Sequence, residues 1–172
     1  MYEKGVRAFV ISDPVSDTSR FPQAVFLTAT DTLFALQQLC GWHRKQFDYE
    51  VIGITGSNGK TIVKEWLFQL LREDKIIVRS PRSFNSQVGV PLSVWEMNKE
   101  NNFGIFEAGI SRHEEMARLE SVIYPTLGLI TNVGDAHSEN FSGLEDKVNE
   151  KLELFAHVRL LFYCKDYLII HD

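Results

Sequence analysis

The sequence contains little that would place this protein in a membrane, outside the cell or on a nucleic acid. No apolar run approaches the length of a membrane span, and the first ten residues lack the apolar segment of a signal peptide. Acidic residues outnumber basic ones, and the net charge of -5 argues against a general polyanion binder. We therefore expect a cytoplasmic protein with no membrane insertion and no nucleic-acid partner.

Cysteine is also scarce, with two residues in a chain of 172. Cys40 and Cys164 are far apart in the sequence, and both have apolar neighbours. So low a count argues against a disulfide framework. We expect both to be reduced thiols in the hydrophobic core.

The chain does contain a regular alternation of short apolar runs and amphipathic segments. Runs such as VIGIT (51–55), FGIFEAG (103–109) and LGLITNV (127–133) predict strands, and the segments between them predict helices. The last stretch, RLLFYCKDYLIIHD (159–172), predicts one or two more strands. Because strands that alternate with helices form parallel crossovers, we predict a doubly wound, mostly parallel α/β sheet. Its ligands should bind at the carboxyl ends of the strands.

The stretch GITGSNGKT (53–61) lies between a predicted strand and a predicted helix, as a phosphate-binding loop does. The pattern G-x-x-x-x-G-K-[ST] would need glycine in place of Ile54. Gly56 and Gly59 still permit positive φ angles, so that backbone N–H groups can face phosphate oxygens. Lys60 can reach the phosphates, and the Thr61 hydroxyl can ligate Mg²⁺. A plain glycine-rich turn is the alternative, and the position between strand and helix argues against it.

Polar side chains follow other predicted strands at the same edge of the sheet. Glu107 ends the strand FGIFE, where an acid can ligate a nucleotide-bound Mg²⁺ or simply face water. His137 comes just after LGLITNV, and we expect both residues to lie near Thr61 because their strands flank the loop strand. Asn85 lies in a polar stretch (80–87), where it can bridge phosphate and a second substrate or only cap the loop.

A guanine-specific switch is not expected. GTPases recognise guanine with N-K-x-D, and the corresponding stretch here is NVGD (132–135). Val133 stands in the lysine position, whose stem would cover the base.

Five stretches together resemble the ATP-dependent Mur ligase family in order and spacing over residues 51–155, and their details are most similar to its MurF group. They are GITGSNGKT (53–61), SFNSQVGVPLSVW (83–95), FEAG (106–109), TNVGDAHSENFSG (131–143) and NEKLELF (149–155). The loop of that family has the same displaced glycine. The second stretch is also similar to MurF modules that are fused to an alanine racemase in some bacteria, although these 172 residues contain no racemase segment.

The resemblance implies a role for each matching position. The residues that match the ATP phosphate loop are Gly56, Ser57, Asn58, Gly59, Lys60 and Thr61. Thr61, Glu107 and His137 match metal-binding positions, His137 at a second Mg²⁺. Asn85 matches the asparagine that faces the γ-phosphate, and Lys151 matches a lysine that family members carbamylate with CO₂. The implied catalytic residues are Lys60, Asn85, His137 and Lys151.

Two substitutions and the length depart from the family pattern. Ile62 stands where threonine or serine is frequent, and Ser86 replaces a frequent asparagine, but neither is a principal ligand. The family's enzymes have three domains. We expect the tail of an N-terminal substrate-binding domain in residues 1–29, a linking helix in 30–50 and an incomplete central ATP-binding domain in 51–172. We expect these residues to include no C-terminal domain, and this chain alone is expected to be inactive.

The resemblance implies an ATP-dependent ligase of peptidoglycan precursor synthesis with ATP and Mg²⁺ as cofactors. Such an enzyme adds D-alanyl-D-alanine to UDP-N-acetylmuramoyl-tripeptide through an acyl phosphate. Its partners would be these small molecules and the remaining domains of the parent protein. Another Mur or folylpolyglutamate-type ligase and a non-catalytic ATP-binding module remain as alternatives.

Overall fold

The computed structural model describes residues 1–134 and 140–171, and the chain divides into two compact units, residues 1–36 and 37–172. The first unit contains a parallel sheet of β1 (Ala8–Ile11) and β2 (Val25–Thr28). Phe9 and Phe26 lie opposite each other in this sheet, with their rings stacked and the centroids 5.4 Å apart. Short 3₁₀ helices cover Tyr2–Lys4 and Thr18–Arg20.

Strands and helices alternate through the second unit. The chain enters it through α1 (Thr32–Arg44), whose first residues belong to the first unit. The elements that follow are β3 (Glu50–Thr55), α2 (Lys60–Leu71), β4 (Ile77–Arg79), α3 (Gly89–Trp95), β5 (Phe103–Glu107), α4 (Glu115–Ile123), β6 (Leu127–Ile130), α5 (Leu144–Leu152), a 3₁₀ turn (Glu153–Phe155), β7 (Leu160–Phe162) and α6 (Leu168–His171). Within 1–134 and 140–171, no helix is both long and apolar enough to cross a bilayer.

The described strands of the second unit form one parallel sheet in the order β4-β5-β3-β6-β7. The predicted parallel α/β fold is therefore confirmed. In the register of the sheet, Ile54 is opposite Glu107 and Thr55 is opposite Ile130. Because β5 and β6 flank β3, the carboxyl ends of all three strands lie side by side, where the chain leaves β3 for the phosphate loop.

The centre of the sheet and one side of α2 form the hydrophobic core. Ile54 and Ile105 are fully buried, and Val63, Leu67 and Leu71 of α2 pack against their cluster. Burial of aliphatic side chains of this size stabilises the fold by about 1.5–3 kcal/mol each. The packing fixes α2 on the sheet, and with it the phosphate loop that precedes the helix.

The remaining apolar residues of α2 do not face this core. Ile62, Trp66 and Leu70 follow one another at intervals of four residues and are 57%, 63% and 74% exposed. The sequence predicts a single apolar face from all six hydrophobic positions. The structure packs the partly buried stripe of Val63, Leu67 and Leu71 against the core and leaves this second stripe in solvent.

One sequence prediction is confirmed only in part, and another is wrong. The final segment contains the single strand β7 and then the helix α6, because an apolar run as short as Leu168–Ile170 fits either structure. Cys40 is buried, and burial raises the pKa of its thiol to about 11. Cys164, however, is exposed rather than in the core. It lies between β7 and α6, beyond the last strand of the described sheet.

Candidate nucleotide-binding site

The loop between β3 and α2 has a backbone that requires glycine at two positions. The φ angles of Gly56 and Gly59 are 140° and 79°, in the region that L side chains rarely adopt. A Cβ atom on Gly56 would also lie 2.0 Å from Oγ1 of Thr131. A Cβ atom on Gly59 would meet no atom within 4 Å, so the space beside it is open. The N-terminus of α2 follows immediately and provides the positive end of its helix dipole to this space.

The segment after β6 holds this loop from the side. Asn132 accepts a hydrogen bond from the Ser57 backbone N–H at 3.0 Å and, through Oδ1, one from the Asn58 N–H at 2.8 Å. Thr131 donates from its hydroxyl to the Asn58 carbonyl oxygen at 2.6 Å. The Ser57 hydroxyl donates to the carbonyl oxygen of Gly134 at 3.0 Å. The segment after β6 therefore braces the phosphate loop.

This role of Asn132 was not among the sequence predictions, although the residue lies in a stretch that resembles the family (131–143). A signal was present in the sequence. Asn132 follows a predicted strand that flanks the loop strand, and a short amide side chain at such a strand end can reach an adjacent loop.

A cleft of about 250 Å³ brings three of the predicted catalytic residues together, namely Lys60, Asn85 and Lys151. The Lys60 ammonium donates to the carbonyl oxygen of Gly56 at 2.8 Å. Burial lowers the pKa of Lys60, and the negative charge of Glu107 partly opposes this effect. A protein with a net charge of -5 thus concentrates lysine side chains in one small cleft, which suits an anionic ligand.

Asn85 enters the cleft from the loop before α3. The main-chain carbonyl oxygen of Asn85 accepts a hydrogen bond from the Gly109 N–H at 2.8 Å. A Cβ atom on Gly109 would lie 3.2 Å from Cγ of Asn85, so the glycine leaves room for the amide side chain. The stretches SFNSQ and FEAG, distant in the sequence, therefore meet at this point.

Lys151 extends from α5 into the same cleft and is nearly buried. Burial, and then the charges of Lys60 and Lys147, lower its pKa to about 8. Lys147 is itself buried and donates to the carbonyl oxygen of Gly134 at 2.5 Å. A larger fraction of Lys151 is therefore neutral near physiological pH than for an ordinary lysine, and the neutral amine is the form that reacts with CO₂.

Thr61 and Glu107 lie together at the floor of the site. The Thr61 hydroxyl donates to Oε2 of Glu107 at 2.9 Å, and Glu107 is fully buried. Oε1 of Glu107 lies 2.9 Å from the ammonium of Lys64 and is paired with that charge. Oε2, a buried carboxylate oxygen beside a hydroxyl, fits a Mg²⁺ ligand set.

No cluster of three or more His, Cys, Asp or Glu side chains suited to a metal occurs in residues 1–134 and 140–171. Mg²⁺ is commonly bound by one or two protein ligands together with water and substrate phosphates. Thr61 and Glu107 therefore fit a metal that arrives with a nucleotide. The predicted His137 lies outside the described residues, and its role remains a prediction.

A larger groove of about 920 Å³ lies elsewhere on the second unit, along β4 and α3. Its lining is mostly apolar and includes Phe68, Leu92 and Trp95. None of the six residues of the phosphate loop lines it. We place the functional site in the smaller cleft because the loop, Asn85 and Lys151 converge there.

A family model described as the Mur ligase middle domain matches residues 54–169. The chain belongs to the Mur ligase family. A UDP-N-acetylmuramoyl-tripeptide–D-alanyl-D-alanine ligase of Treponema pallidum is 39% identical over 134 residues, which are 77% of this chain and 29% of that protein.

Solved structures of Mur ligases agree with this membership. MurF ligase from Thermotoga maritima in complex with ADP has a TM-score of 0.82 and 27% identity, over 96% of this chain and 39% of that one. MurF from Acinetobacter baumannii has a TM-score of 0.79 and 29% identity, over 87% of this chain and 32% of that one. The chain thus spans about a third of the length of the curated relatives that it matches.

The lowered pKa of Lys151 leads to a test by competitive acetylation with acetic anhydride, a small reagent that modifies neutral amines and does not itself titrate. We expect the rate at Lys151 to rise with pH and to level off above about 8, because the amine is then fully deprotonated. A lysine model peptide, with a pKa of about 10.4, should continue to gain reactivity over the two pH units above that point. Mass spectrometry of the peptide that contains Lys151 measures the rate, and a profile identical to the model peptide would contradict the expectation.

Proposed function

We propose that this chain is the ATP-binding part of a MurF-type ligase that joins D-alanyl-D-alanine to UDP-N-acetylmuramoyl-tripeptide. The observation that carries the proposal is the convergence of the phosphate loop, Asn85 and Lys151 on one cleft. The curated relatives named for this reaction support the choice of substrates, and the ADP complex of the Thermotoga maritima relative supports the choice of nucleotide. The reaction would take place in the cytoplasm, where ATP and the nucleotide-linked precursor occur.

The reaction has two steps. An oxygen of the terminal carboxylate of the tripeptide attacks the γ-phosphorus of ATP, the bond to the β-phosphate oxygen breaks, and ADP and an acyl phosphate form. The amine of D-alanyl-D-alanine then attacks the acyl carbon, loses a proton, and expels inorganic phosphate as the amide bond forms. No protein nucleophile is needed, so the protein contributes positions and charges.

The residues of the cleft fit these requirements. Lys60 and the amides at the start of α2 would offset the negative charge that develops on the transferred phosphoryl group. Asn85 would orient the γ-phosphate toward the incoming carboxylate. Thr61 and Glu107 would hold Mg²⁺, which neutralises phosphate charge when it is bound. Lys151, as a carbamate, would add an anion near the phosphoryl group, and His137 would serve a second ion.

Calorimetric titration of the chain with ATP in the presence and absence of Mg²⁺ tests the nucleotide part of the proposal. We expect saturable binding of one ATP that is strengthened by Mg²⁺, and weaker binding of GTP since a guanine motif is lacking. A chain that binds no ATP would overturn the proposal.

The ligase part requires the protein that contains this chain together with its remaining domains. We expect release of phosphate only when UDP-N-acetylmuramoyl-tripeptide and D-alanyl-D-alanine are both present. Turnover with a single amino acid in place of the dipeptide would indicate another Mur or folylpolyglutamate-type ligase. ATP binding without turnover on any of these substrates would indicate a non-catalytic module.

A further inference from the structure

Lys64 is a fully buried cation to which the proposed function assigns no role. Its Nζ atom lies 2.9 Å from Oε1 of Glu107 and donates a hydrogen bond to the carbonyl oxygen of Ser80 at 2.7 Å. It donates another to the carbonyl oxygen of Arg82. Nζ also lies 3.2 Å from Glu65, a partly exposed carboxylate. One ammonium group thus contacts the predicted metal carboxylate and the segment that leads to Asn85.

The burial of Glu107 makes a neighbouring cation necessary. An ionised carboxylate that is fully removed from water is costly unless a positive charge or hydrogen bonds compensate it. Lys64 provides such a charge at 2.9 Å, and Lys60 also interacts electrostatically with Glu107. Oε1 of Glu65 is shared between Lys64, at 3.2 Å, and Arg79, which is closer at 2.5 Å.

The two lysines lie one helical turn apart on α2 but have different surroundings. The ammonium of Lys60 donates to the Gly56 carbonyl oxygen and lines the phosphate cleft. Lys64 points beneath it, into the protein, where Glu107 is held. If the charge of Lys64 were missing, Glu107 would attract Lys60 more strongly, since the two already interact electrostatically.

We propose that Lys64 is a positioning residue whose charge neutralises Glu107 and so leaves Lys60 free to bind phosphate. Oε2 of Glu107 then continues to accept the hydrogen bond from the Thr61 hydroxyl, at the place where Mg²⁺ would bind. Through Ser80 and Arg82 the same ammonium fixes the start of the loop that contains Asn85. The inference rests on the nucleotide-binding function proposed above.

The test measures the affinity for ATP in EDTA, where the metal-binding role of Glu107 makes no contribution. The variant Lys64→Met keeps the length of the side chain without its charge. We expect its affinity to fall about tenfold, the loss that corresponds to one charge-assisted hydrogen bond from Lys60. In the double variant Lys64→Met with Glu107→Gln no carboxylate remains to attract Lys60. We expect its affinity in EDTA to return to within about threefold of the wild type.

Two further variants separate charge from packing. Lys64→Arg keeps the charge and should retain affinity within about threefold of the wild type. Lys75→Met removes an exposed lysine and is the matched control, which should bind ATP as the wild type does. Thermal unfolding checks that each variant is folded. If Lys64→Met does not fold, Lys64→Gln replaces it, since its amide still offers hydrogen-bond donors without the charge.

Two results would contradict the positioning role of Lys64. If Lys64→Met, or Lys64→Gln in its place, binds ATP in EDTA as tightly as the wild type, the inference is overturned. A double variant that binds no better than Lys64→Met alone would also overturn it, because a purely structural loss would not be reversed by Glu107→Gln. A wild-type chain that binds no ATP at all would instead refute the proposed function, and this inference with it.

Discussion

Replacement of Lys60 by alanine is expected to lower the affinity for Mg²⁺–ATP at least about a hundredfold, with the fold intact. Charge-assisted hydrogen bonds contribute about 1.5–3 kcal/mol each, and two phosphate contacts from one ammonium account for a loss of this size. In the structure this ammonium donates a hydrogen bond to the Gly56 carbonyl oxygen at 2.8 Å. Because Lys60 occupies the first residue of α2, its removal should change the free energy of unfolding by only about 1 kcal/mol.

Calorimetric titration with Mg²⁺–ATP measures this effect, and thermal unfolding tests the fold. Lys75→Ala is the matched control, an exposed lysine after the same helix, and it should bind ATP as the wild type does. Equal affinity of Lys60→Ala and the wild type would show that Lys60 is not a phosphate ligand. The assignment of the loop would then fail as well.

The second large effect is expected for Gly56→Ala, which should destabilise the protein by about 2–4 kcal/mol. Two causes add at this position. The φ angle of 140° is unfavourable for a residue with a Cβ atom, and that atom would lie 2.0 Å from Oγ1 of Thr131. The backbone nitrogen and oxygen of Asn132 are at 3.1 Å, so the loop could not relax without breaking its contacts with the segment after β6.

Two other glycines separate these causes. Gly59→Ala has the unfavourable angle without the clash, and we expect a cost of about 1–2 kcal/mol. Gly143 has extended backbone and open space around it, so Gly143→Ala should cost at most about 1 kcal/mol. Chemical denaturation of the three variants gives the order of stability. A Gly56→Ala protein as stable as Gly143→Ala would contradict the geometry of the loop.

The phosphate loop could be recognised from sequence because its determinants lie within nine consecutive residues. The chemistry of single residues indicates phosphate binding here, namely that of Gly56, Gly59, Lys60 and Thr61. The apolar periodicity on either side predicts a strand and a helix. The proximity of Thr61 and Glu107 could also be predicted from the sequence, because parallel strands next to the loop strand end at the same edge of the sheet.

Other parts of the site depend on contacts that a local pattern does not contain. Asn58 and Asn132 are 74 positions apart, and their hydrogen bond exists only because β6 lies next to β3. The lowered pKa of Lys151 arises from burial and from the charges of Lys60 and Lys147, on α2 and α5. In the sequence Lys151 is an ordinary lysine on a polar helix, and it was chosen through the family resemblance.

The sequence by itself determined the alternation of strands and helices, the phosphate loop and the family, because apolar periodicity and short motifs are properties of neighbouring residues. The tertiary structure decided which of the lysines are buried and what they contact. Lys64 lies among the apolar residues of α2, and its spacing alone is compatible with a solvated side chain. It is buried because the packing of α2 on the sheet directs it toward Glu107. The ion pair with that carboxylate and the hydrogen bonds to the carbonyl oxygens of Ser80 and Arg82 make this burial tolerable.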